Sequence, residues 1–85
     1  MPEVYRIWRN KLFKELKDRI KGKVTVEINE DTASLYLAVE DSLGKFERGI
    51  FNLDRRMLIG DFDAGLEARK FVNAYKMWVL GHFVN

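Results

Sequence analysis

Between residues 23 and 40 apolar side chains fall at every second position, and on both sides of that stretch they fall at every third or fourth. A period of two suits a strand with one buried face, and a period near 3.6 suits a helix with one buried stripe. The chain must therefore accommodate both. In KVTVEIN, residues 23–29, Val24, Val26 and Ile28 alternate with Thr25, Glu27 and Asn29. In ASLYLAVE, residues 33–40, Leu35, Leu37 and Val39 alternate with Ser34, Tyr36, Ala38 and Glu40. The intervening Asn29-Glu30-Asp31-Thr32 is turn chemistry, which predicts an antiparallel hairpin. After DSLGK, the segment KFERGIFNL, residues 45–53, reads as a third strand. Its apolar residues change face around Gly49, which predicts a bulge or bend there.

The flanking segments read as helices. Over residues 3–21, Tyr5, Trp8, Leu12, Phe13, Leu16 and Ile20 share one arc, and Gly22 is placed to supply a left-handed residue after the last turn. Pro2 suits the helix start. DRRMLIG, residues 54–60, reads as a loop or a single helical turn ended by Gly60. Asp61 or Asp63 then caps a last helix over 63–83. Ala64, Ala68, Phe71, Val72, Tyr75, Trp78, Val79, His82 and Phe83 form its core stripe. The expected fold is α+β: one domain spanning residues 1–85, helix–three-stranded antiparallel sheet–helix, with both helices packed on one face of the sheet. Trp8, Phe13, Phe71, Tyr75 and Trp78 are expected in an aromatic-rich core.

Composition narrows the functional classes. At 85 residues with 47% hydrophobic and 33% charged content, the chain supports a single folded core instead of a disordered ensemble. It has no cysteine, which excludes disulfides and thiolate zinc sites. No apolar run approaches the ~20 residues of a membrane span, and the charged N-terminus lacks the apolar region of a signal peptide. A cytoplasmic protein is expected.

The net charge of +2 conceals a polarity, because RIWRNKLFKELKDRIKGK, residues 6–23, holds eight lysines or arginines and two acids. Arg6, Arg9, Lys14, Lys17 and Lys21 are the candidate contacts if this helix binds nucleic-acid phosphates. A solvated face would instead balance its charges locally, through Lys11–Glu15–Arg19 and Lys14–Asp18 at i,i+4 spacing. The element order matches the double-stranded RNA-binding domain, but GDFDAGLE opens the second helix with acids and NEDT is short and acidic. Both features repel the phosphates that such a domain must hold.

The last helix carries a second apolar seam. Leu66, Lys70, Asn73, Met77, Leu80 and Val84 follow at heptad-like spacing away from the core stripe, a candidate interface for a protein partner or a homodimer. Catalysis has few candidates. His82 is the single histidine and falls in the core stripe, and nucleophile and phosphate-loop motifs are absent. DFDAG resembles the start of a calcium loop, but its twelfth position is Val72 where a glutamate is required. The expectation is a non-enzymatic protein with no cofactor and no metal.

The chain as a whole resembles a group of short, uncharacterised proteins encoded by phages and prophages of Gram-positive bacteria. The likeness is carried by YRIWRNKLFKELKDRIKGKVTVEIN and LIGDFDAGLEARKFVNAYKMWVLGHF. It implies an accessory protein in the cytoplasm of the bacterial host, acting by binding rather than catalysis, and it transfers no site residues.

Overall fold

The period-two segments form an open antiparallel sheet of β1 (Lys23–Asn29), β2 (Ser34–Asp41) and β3 (Gly44–Ile50), in that spatial order. The computed structural model describes residues 3–53 and 63–84, with the backbone alone at Glu3, Val4 and Val84. Helix α1 (Glu3–Arg19) precedes the sheet and helix α2 (Ala64–Val84) follows it. The mixed α+β order read from the sequence is the architecture of the protein. DRRMLIG and the cap at Asp61 lie outside the described residues.

The register places three rows of side chains on the inner face: Val24–Val39–Phe46, Val26–Leu37–Arg48 and Ile28–Leu35–Ile50. Leu35, Leu37 and Val39 of the central strand are fully buried there, with Leu12 and Leu16 of α1 and Phe71 of α2. Burying one such side chain contributes about 1.5–3 kcal/mol, so these six dominate the hydrophobic stabilisation. Helix α1 packs on β1 and α2, and α2 also reaches β3. Arg48 is the exception on the inner face. It is an exposed charge on the strand at the sheet edge.

Local chemistry fixes the turns. The β1–β2 loop closes through the Thr32 amide, which donates to the Asn29 carboxamide at 3.1 Å, and through Ala33, whose φ of 49° is left-handed. The β2–β3 turn has two central residues, Ser42 and Leu43. Its positive φ falls on Gly44, at 133°, a conformation that glycine alone adopts without strain. Asp41 completes the turn by accepting from the Leu43 amide at 2.8 Å. Asp63 caps α2, its carboxylate accepting from the Leu66 amide at 3.1 Å. Glu67 is buried in the first turn of α2, where the positive end of the helix dipole offsets part of the cost of burying a carboxylate.

Several expectations are corrected. The pairing of β3 runs without interruption from Asp41↔Gly44 to Leu35↔Ile50, so there is no bulge at Gly49. The strand stops at Ile50 instead of residue 53, because Asn52 turns left-handed with φ 62°. Leu53 then inserts into the core, and its amide donates to the Ala33 carbonyl at 3.0 Å. Helix α1 ends at Arg19, and Gly22 is not left-handed. Glycine is required there by proximity, since a Cβ would lie 2.8 Å from the Glu40 carbonyl oxygen and 2.9 Å from Val39 Cγ2. Phe13, His82 and Phe83 are exposed rather than core residues, and Tyr75 and Trp78 are half-buried.

Candidate functional site

Helix α2 outruns the sheet it packs on. Its 21 residues span about 31 Å at 1.5 Å per residue, whereas a strand of seven or eight residues spans only about 25 Å. Gly44, at the β2–β3 turn, lies within van der Waals reach of the Trp78 ring. An aromatic column leads to this point. Phe46 packs at centroid distances of 5.3 Å on Phe71 and 5.7 Å on Trp78, and Tyr75 stacks on Trp78 at 5.9 Å. The Tyr75 hydroxyl donates to the Asp41 carboxylate, joining α2 to the end of β2. That bond holds the Asp41 carboxyl below its ordinary value, aided by the Leu43 amide. The same bond pushes the Tyr75 phenol up to about 12.

Beyond Trp78 the helix projects past the core. His82 donates from Nδ1 to the Trp78 carbonyl at 2.9 Å and sets its ring edge-on to the Trp78 indole, with centroids 4.4 Å apart. A carbonyl only accepts, so this bond fixes the proton on Nδ1. The histidine, expected in the core stripe, is thus hydrogen-bonded to its own helix and lies at the surface. Among the described residues no cluster of histidine and carboxylate groups suits a metal ion.

The candidate seam divides. Leu66 is half-buried, Lys70 and Asn73 are exposed, and the side chain of Val84 lies outside the described residues. Its apolar exposure is concentrated at Met77, 69% accessible, and Leu80, 55%. Phe83, at 74%, continues them at i,i+3 spacing. The sequence reading missed Phe83 because a helical wheel has no length. Its angle belongs to the core stripe, but the core ends a turn earlier. Together the three expose about two whole side chains of apolar surface, on the order of 400 Å² at roughly 200 Å² each. A patch of that size on a small chain is commonly functional.

The basic residues form a second surface. Arg6, Arg9, Lys14, Lys17 and Lys21 are all exposed on one side of α1 and the turn that follows it. Of the local ion pairs expected to balance them, Glu15 pairs with Arg19. Among the described residues no ion pair joins Lys14 to Asp18 or Lys11 to Glu15. Phe13, 41% accessible, sits among these cations, and Ile7, 50% accessible, lies on their far flank. Glu15 and Asp18 line another feature, an open groove shared with the start of α2, together with Lys11, Lys14 and Asp63.

No helix among the described residues is long and apolar enough to cross a membrane. Comparison with protein families, with curated proteins and with solved structures finds no match to this chain.

Proposed function

We propose that this protein is a non-enzymatic accessory protein, of the phage or prophage kind its sequence resembles, which acts by protein–protein contact and associates with a second copy of itself through the end of α2. The observation that carries the reading is the row Met77–Leu80–Phe83, three large apolar side chains exposed where the helix has left the sheet. Exposing such a row to water is unfavourable, and covering it is the simplest use for it.

A second copy fits this row by symmetry and by charge. In an antiparallel two-fold crossing centred on Leu80, Met77 of one copy meets Phe83 of its partner and Leu80 meets Leu80. Lys76 then lies opposite position Val84 of the partner and not opposite a lysine. The contact uses the last two turns, so Leu66, Lys70 and Asn73 of the wider seam fall outside it. Burying about 400 Å² from each copy gives about 800 Å² in all, below the standard size of a stable complex, so the association is weak and reversible.

Sedimentation velocity over a concentration series from micromolar to millimolar tests the reading. The expected result is a sedimentation coefficient that rises with concentration in the wild type and stays at the monomer value in a Met77→Glu, Leu80→Glu double variant. A wild type that remains strictly monomeric throughout overturns self-association.

A further inference from the structure

The basic side of α1 has a structure of its own, independent of the α2 contact. Successive i,i+4 steps place Arg9, Phe13 and Lys17 in one row along the helix, continued by Lys21 just beyond its end. Arg6, Asn10 and Lys14 form the adjoining row. Phe13 therefore has a cation one turn before it and another one turn after it, and the residue is 41% accessible. Phe13 stands at the margin of the buried stripe, so its uncovered portion borders these cations, as suits a surface that grips a polyanion carrying flat apolar groups.

We infer that this face binds single-stranded nucleic acid, with Arg9, Lys14, Lys17 and Lys21 holding phosphates and Phe13 stacking on an unpaired base. The chemistry of single-strand recognition is this pairing of a cationic track with an exposed aromatic platform. A duplex offers no base face to Phe13, because its bases are stacked within the helix. An anionic lipid surface fits less well. The apolar stripe of α1 is already buried on the sheet and on α2. Its exposed apolar residues, Phe13 and Ile7, are separated around the helix by Arg6, Asn10, Lys14 and Lys17, so a bilayer that took up both would have to bury those cations as well.

The test is fluorescence anisotropy with a labelled oligothymidine of about 15 nucleotides, titrated at a series of salt concentrations. A hairpin duplex and vesicles of an anionic phospholipid serve as alternative probes. Neutralising ~4 phosphates predicts a log–log salt slope near −2.8 for the single strand. Phe13→Leu keeps the apolar bulk and removes the π face, so it should weaken single-strand binding about tenfold and leave the salt slope unchanged. Lys17→Gln should reduce the slope by about 0.7. Melting temperatures of both variants establish that the fold is kept. Failure to bind the oligothymidine at low salt overturns the inference. So does equal affinity for duplex with no effect of Phe13→Leu, which is general polycation attraction, and so does a preference for vesicles. None of these outcomes bears on the association through α2, which sedimentation reads separately.

Discussion

Replacing Leu80 with alanine separates what a surface leucine does for the monomer from what it does between copies. In the monomer 55% of Leu80 is already in water, so only the remainder contributes to folding. Full burial of a leucine is worth about 2 kcal/mol, and the exposed half can therefore gain about 1 kcal/mol when a partner covers it. A two-fold contact counts the substitution twice, giving about 2 kcal/mol, or a dimer roughly 30-fold weaker. The buried remainder is worth about 1 kcal/mol, and alanine is at least as good a helix former as leucine, so the monomer should lose no more than about 1 kcal/mol. The assay is sedimentation equilibrium for the dissociation constant, paired with urea unfolding at a concentration where the monomer dominates. An unchanged dissociation constant would refute the contact. A large drop in unfolding free energy would refute the description of Leu80 as a surface residue.

Three further perturbations probe the frame that carries these surfaces. Gly22→Ala forces a Cβ to within 2.8 Å of the Glu40 carbonyl oxygen, and should cost about 1–3 kcal/mol in urea unfolding; a loss under about 0.5 kcal/mol would show that the helix–sheet junction yields freely. Gly81→Ala meets nothing within 4 Å, and should stabilise the fold by about 0.5–1 kcal/mol, raising the melting temperature by about 3–6 °C. Tyr75→Phe removes the bond to Asp41. The Asp41 carboxyl is held low in the fold, so its contribution is present above its ordinary value of 3.8 and is lost as the pH falls through the lower folded value. The Tyr75 phenol is pushed up to about 12, so its contribution is complete below its ordinary 10.0 and is lost as the pH rises through the raised value. The stability gap between wild type and Tyr75→Phe should therefore be flat near neutrality and close at both extremes. A gap that persists in strong acid would rule out the carboxylate as the acceptor.

Much of this was legible in the sequence, and the failures share a cause. The alternation at Val24, Val26, Ile28, Leu35, Leu37 and Val39 identifies the buried face of the sheet outright, because side-chain direction in a strand has only two values. The stripe from Tyr5 to Ile20 identifies the buried face of α1 almost as well, with Phe13 at its margin and turned to solvent. Periodicity is an angular property, however, and says nothing about where the opposing surface ends. Hence His82 and Phe83, correct in angle, emerge beyond the sheet. Gly22 and Gly49 show a related limit. The sequence marks each as a glycine, but only the distance from Gly22 to Glu40 reveals crowding, and only the unbroken register at Gly49 excludes a bulge. The candidate surfaces were half visible. The cations of α1 were evident from composition, while the isolation of Phe13 among them required knowing which residues the fold leaves uncovered.

Arg48 bears on a different hazard. An open sheet has two free edges, and an edge strand with unpaired amides is a template on which further chains can add without limit. The β3 edge carries Lys45, Glu47 and Arg48 in close succession, with Lys45 and Glu47 ion-paired at 3.3 Å. Arg48 is aimed toward the side on which an incoming strand would try to continue the apolar face. A chain docking there would have to desolvate that guanidinium against leucine or valine. Growth along the sheet is thereby discouraged at the β3 edge, where an incoming apolar strand would have to bury a charge it cannot pair.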